Sequence, residues 1–105
     1  DSSYELKKMV EYDNMGLNWT KKHGIKIPFV KDNNIKSYYV PDFLININDN
    51  RILVEIKGWI TNNDIIKAKE AIEWCEHNDF EYYFICGEKL ELNSELSLIR
   101  NYYKL

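Results

Sequence analysis

Apolar residues recur along this chain with two different periods. Over residues 3 to about 17, Leu6, Met9, Val10 and Leu17 fall on one side of a helix, and Gly16 closes the segment. Residues 25–30, IKIPFV, alternate as a strand does, with Pro28 marking an edge or a bend, and KDNNIK (31–36) reads as a loop. Residues 38–59, YYVPDFLININDNRILVEIKGW, read as two apolar strands around a polar turn at Asn48-Asp49-Asn50. In TNNDIIKAKEAIEWCEHND (61–79), Ile65, Ala68, Ile72 and Cys75 make a helical stripe, and Asn62, Asn63 or Asp64 can cap it. EYYFIC (81–86) is a short aromatic strand ending at Gly87. The stretch from Asn93 to Tyr103 is expected to be a last helix, with Leu96, Ile99 and Tyr103 on one side. The order is helix, three strands, helix, strand, helix. It predicts an α/β fold in which an antiparallel meander connects through a helical crossover to the fourth strand of a mixed four-stranded sheet.

Length supports a single domain over residues 1–105, with room for one modest core. The apolar runs are too short to span a membrane, and no signal-peptide pattern precedes the first helix. The chain opens with Asp1 rather than Met and is expected to be a minimal core or a fragment of a larger protein. Two cysteines, Cys75 and Cys86, match no disulfide framework or zinc spacing; both are expected to be buried, reduced thiols of a cytosolic protein. The net charge is −3 but unevenly spread. Residues 1–40 hold seven lysines and five acids, residues 41–105 seven basic residues and twelve acids. A basic flank beside an acidic site suits a phosphate-handling protein, and a solvated surface accounts for the same counts.

Three charges change the picture. Asp42, Glu55 and Lys57 sit inside apolar runs, where ionised groups are costly to bury. Alternation puts Glu55 and Lys57 on one face of their strand, their Cα atoms roughly 6–7 Å apart, while Val54 and Ile56 point the other way. A turn of two or four residues, pairing Ile47 with Ile52, sets Asp42 opposite Lys57 with Glu55 one diagonal away. A three-residue turn puts Asp42 on the other face unless a bulge at Pro41 restores it. Two carboxylates and an ammonium in one volume suit Mg²⁺, which takes one or two carboxylates, several waters and a phosphate. The competing reading is a cross-strand ion pair worth roughly 0.2–1 kcal/mol.

The segments Tyr39-Val40-Pro41-Asp42-Phe43 and Val54-Glu55-Ile56-Lys57-Gly58, joined by a short hairpin, resemble the signature of the PD-(D/E)xK nuclease superfamily. The resemblance spans roughly residues 3–86 and is closest to compact phage and mobile-element endonucleases, whose sequences also read YxPDF…EVKG. It implies a restriction-endonuclease-like core in the order α-β-β-β-α-β, with a C-terminal helix added here. It also implies a Mg²⁺-dependent DNA endonuclease, with Mn²⁺ as a substitute metal. By position, Asp42, Glu55 and the main-chain carbonyl of Ile56 would hold the metal, and Lys57 would assist the water. Glu5, on the first helix, matches a further acid found in many members, although Ser2-x-x-Glu5 is also a capping box. Lys67 or Lys69, on the second helix, matches polar residues that contact phosphate in relatives.

Other candidates for nucleic-acid contact are Lys21, Lys22 and His23 in one cluster, and Trp59, directly after the motif, which could stack on a base. So small a domain has little room for sequence readout. The resemblance therefore leads one to expect a homodimer, or a specificity partner or domain, as for a junction resolvase or a transposon-end nuclease. The alternatives are a non-cutting binding module of the same fold, and an unrelated α/β domain with ordinary ion pairs. No membrane partner is expected.

Overall fold

The computed structural model describes residues 2–86. The expected helix over residues 93–103 and the side chain of Cys86 lie outside the described residues, as does the Ser2 side chain that a capping box with Glu5 would use. Helix α1 (Ser2–Asn14) ends in a turn where Gly16 takes a left-handed φ of 70°. The Leu17 N–H bonds to the Tyr12 carbonyl and the Gly16 N–H to the Asp13 carbonyl, both at 3.0 Å, satisfying carbonyls that the helix end leaves without partners. The chain then forms strands β1 (Asn18–Thr20), β2 (Ile27–Val30), β3 (Lys36–Tyr39), β4 (Phe43–Ile47) and β5 (Asn50–Lys57), helix α2 (Asn62–His77) and strand β6 (Glu81–Cys86).

The main sheet has the order β1-β4-β5-β6. Its first two pairings are antiparallel, and α2 carries the chain across so that β6 lies parallel to β5. The domain is thus α/β, with a mixed four-stranded sheet as expected. The meander is not as expected. IKIPFV does not join the main sheet: β2 pairs antiparallel with β3 in a separate two-stranded sheet. The edge beside β4 goes instead to β1, three residues that alternation alone does not mark. The quoted first strand is also two strands, broken at Val40-Pro41-Asp42, because proline lacks the N–H a continuous ladder needs.

Each face of the sheet carries its own core. On one face α1 packs Tyr12, with Met9 and Tyr4, over Phe43, Ile45, Ile52, Val54 and Ile56. Tyr12 and Trp19 both meet the Phe43 ring edge-on, with centroids 5.6 Å apart. On the other face α2 and the β2–β3 hairpin cover Leu53, Tyr82 and Phe84 with Ala68, Ala71, Cys75, Ile27, Phe29 and Tyr39. The α1 stripe is rotated from its expected position: Leu6 and Val10 are exposed, and the inward side runs through Met9 and Tyr12. Aromatic packing on Phe43 selects that face, which also turns Glu5 inward, one turn before Met9.

Candidate active site

The hairpin register brings the expected acids together. Asn48-Asp49 form a two-residue turn, Asn48 with a left-handed φ of 53°, which asparagine tolerates. Ile47 therefore pairs with Asn50, and Ile45, not Ile47, with Ile52. This corrects the expected register by two residues, so Asp42 keeps its face but lies across from Glu55 rather than Lys57. The Asp42 N–H donates to Glu55 Oε1 at 3.1 Å, and the Ile56 N–H donates to Asp42 Oδ2 at 2.8 Å. Asp42 sits in the bend before β4, half-buried, while Glu55 is only 5% exposed.

Burial raises the Asp42 pKa, against the Ile56 amide, and the charge of Glu5 adds to the rise. Glu55 is pushed further, from its ordinary 4.5 up to about 8, by burial first and then by Asp42. The buried Tyr39 hydroxyl, which works to lower the Glu55 pKa, lies 2.9 Å from the Tyr82 hydroxyl. Lys57 Nζ stands 3.7 Å from Glu55 Oε2 and 3.4 Å from Asp64 Oδ1. Burial works against its charge, but Glu55 and Asp64 prevail and its pKa is raised.

Asp64 was not expected here. The expected caps for α2 were Asn62, Asn63 or Asp64; the cap is Thr61, whose hydroxyl accepts from the Asp64 N–H. Asp64 Oδ2 accepts in return from the Thr61 N–H at 2.9 Å and the Thr61 hydroxyl at 3.0 Å, leaving Oδ1 towards Lys57. The signal was present in the sequence as T-x-x-D before an apolar stripe. Tyr39 was likewise missed, because nothing local marks a tyrosine that reaches a carboxylate from another strand.

The remaining expected residues divide clearly. Glu5 and Lys21 form an ion pair, and Lys21 also lies over the Phe43 ring, 5.3 Å from its centroid. Both charges act on Asp42, Glu5 raising its pKa and Lys21 lowering it. Lys22 is exposed. His23 is not placed for phosphate: Nδ1 accepts from the Ile25 N–H at 3.0 Å, so Nε2–H donates to the Pro41 carbonyl at 2.8 Å. It anchors the bend that carries Asp42. Lys67 and Trp59 line an open groove of about 670 Å³ beside Lys57. Lys69 is exposed, about 200° around α2 from Lys67.

The donor set can be judged on chemistry. Asp42 and Glu55 offer hard carboxylate oxygens, and the Ile56 carbonyl adjoins them in sequence. No group of three or more His, Cys, Asp or Glu side chains able to hold a metal occurs among the described residues. Two carboxylates without a closed cage fit Mg²⁺, which keeps most of its waters, and do not fit zinc. Burial raises both carboxylates, and a bound cation would offset that cost and draw both into the charged form. No protein-family profile matches this chain, and no curated protein matches it. Among the described residues no helix is long and apolar enough to cross a membrane.

Proposed function

We propose that this protein is a metal-dependent DNA endonuclease with a restriction-endonuclease-like core of the PD-(D/E)xK kind. One observation carries the reading: two buried or half-buried carboxylates, Asp42 and Glu55, share one volume at the end of β5 with Lys57 beside them. An ordinary ion pair would not join two acids by backbone hydrogen bonds to each other's strands. Asp42, Glu55 and the Ile56 carbonyl would hold Mg²⁺, which, when bound, lowers the pKa of a coordinated water and stabilises charge on a phosphate.

The chain's own groups supply the rest. Lys57, held charged by Glu55 and Asp64, donates hydrogen bonds that orient the water and neutralises charge developing on the phosphate. That raised pKa favours the donor role over proton abstraction. Water attacks phosphorus, one P–O ester bond breaks, the water oxygen stays on the phosphate and a water proton passes through solvent to the leaving oxygen, giving a phosphate end and a hydroxyl end. The groove beside Lys57 opens at the C-terminal end of β5, the usual ligand position in α/β sheets.

The test is cleavage of supercoiled plasmid and branched DNA in Mg²⁺, Mn²⁺ or EDTA, with Lys57→Ala and Glu55→Gln alongside. The reading expects cutting with either metal, lost in EDTA and in both variants. No cutting, with no heat of Mg²⁺ binding by calorimetry, would remove it. Mg²⁺ binding and DNA binding without cutting would favour a binding module of the same fold.

A further inference from the structure

The three tryptophans are placed very differently. Trp19 packs edge-on against Phe43 and donates Nε1–H to Asp13 Oδ1 at 2.8 Å. Trp74 packs against Phe80, ring centroids 5.2 Å apart. Trp59 is 77% exposed, the most exposed large apolar side chain among the described residues. It lies two residues beyond Lys57, on the wall of the groove that also holds Lys57, Asp64, Lys67 and Tyr4. An indole in water forgoes the burial its two counterparts obtain, and this one offers its face to the groove beside Lys57.

The groove's chemistry points to a class of ligand. Lys67 lies over the Phe29 and Tyr39 rings, 5.7 Å from each centroid, and no carboxylate among the described residues stands within ion-pair distance of it. A flat apolar face and a cation in one groove match a base and its phosphate. In a continuous duplex both faces of every base are covered by neighbours, so an indole can stack only on a base that is unpaired, terminal or splayed. Groove volumes of about 300–1,000 Å³ take a drug-sized ligand, which fits a nucleotide unit and not a duplex.

Building on the nuclease reading, we infer that Trp59 and Lys67 form a subsite for an unpaired nucleotide next to the scissile phosphate. The substrate class is then single-stranded or branched DNA rather than continuous duplex. Stacking on Trp59 sets that preference, and Lys67 holds the adjoining phosphate.

The test is binding of one labelled oligonucleotide as a single strand, as a blunt duplex and as a Y-shaped fork, in EDTA and again in Ca²⁺. Anisotropy gives affinity and tryptophan emission reports stacking. Quenching by the single strand is expected in the wild type and lost in Trp59→Phe. Trp59→Ala is expected to lower the ratio of single-strand to duplex affinity about 5- to 150-fold, the range measured for one stacked base, with Trp59→Phe recovering part of it. Unaltered thermal melting would show that the exposed position leaves the fold intact. Quenching that persists in Trp59→Phe, or equal losses for single strand and duplex in Trp59→Ala, would overturn the subsite. Failure of cleavage in Mg²⁺ with the Trp59-dependent preference intact would remove the nuclease reading and leave the subsite. Plasmid cutting without any strand preference would do the reverse.

Discussion

Glu55 and Asp64 are buried almost equally, at 5% and 6% exposed, and both lie beside Lys57. Their surroundings treat negative charge in opposite ways. Asp64 collects the Thr61 N–H, the Thr61 hydroxyl and the Lys57 ammonium, all donors, and belongs to a helix cap. Glu55 collects the Asp42 N–H and Lys57 but faces the Asp42 carboxylate, and burial first and then Asp42 push its pKa up to about 8. Burial alone therefore does not mark a functional acid. What sets Glu55 apart is a second acid in the same volume and no cap to collect its charge, which makes it the better candidate for a functional acid.

The comparison breaks most visibly in activity. Glu55→Gln, Asp42→Asn or Lys57→Ala should lower plasmid cleavage by about 100- to 1,000-fold or more, the usual scale for removing one group that stabilises charge in a transition state. Cleavage in Asp64→Asn should persist, since an amide oxygen can still accept from Thr61. Equal losses at all four positions, measured as initial rates, would erase the distinction.

The pH dependence of stability comes next. The unfolded chain releases the Glu55 proton as pH rises through about 4.5, whereas the folded chain keeps it until about 8. The folded state thus holds the extra proton between those values. The stability it contributes is fully present below about 4.5 and lost as pH climbs towards 8. Asp42, also raised by burial, adds the same sign. Denaturant melts across pH 5–8 should show this decline without metal and a flatter profile in Glu55→Gln. Mg²⁺ at a hundredfold excess over its dissociation constant should add about 2.7 kcal/mol in the wild type and nothing in the variant. Apparent Mg²⁺ affinity should rise with pH up to about 8, because binding displaces the Glu55 proton.

Substitution without metal should give opposite signs at the two acids. Asp64→Ala removes half of a capping box and a partner of Lys57, and is expected to destabilise by about 1–3 kcal/mol in urea melts. Glu55→Gln should be neutral or stabilising, because an amide is buried without the proton uptake that Glu55 needs above pH 4.5. The smallest effect expected calibrates both. The Tyr12 hydroxyl, on the α1 face, is buried with no hydrogen-bond partner. Burial raises its pKa well above the ordinary tyrosine value, so it stays neutral. Tyr12→Phe should therefore stabilise by about 1 kcal/mol, with cleavage unchanged.

Much of this protein was legible in the order of its residues. The period of Ala68 and Cys75 and the alternation of Val54, Glu55, Ile56 and Lys57 are local patterns that became the elements they implied, and the turn expected at Asn48-Asp49-Asn50 formed one residue shorter, with Asn50 starting β5. The site's core was legible for the same reason: charges inside an alternating strand stand out whatever the fold. What eluded the sequence was the outcome of competition between distant surfaces. The strand IKIPFV went to a separate hairpin while Asn18–Thr20 took the sheet edge, because edge pairing depends on which segment the tertiary fold delivers there. Leu6 and Val10 turned outward once Tyr12 and Met9 found Phe43. His23 became a clamp on Pro41, Tyr39 a partner of Glu55, and Asp64 a partner of Lys57, across separations in sequence that no periodicity spans. By itself the sequence determined the elements, the face on which the charges lie and the kinds of groups available, since backbone geometry dictates these residue by residue. Only the tertiary structure decided which groups meet, because hydrogen bonds and Coulomb forces act over a few ångströms, and packing chooses the neighbours.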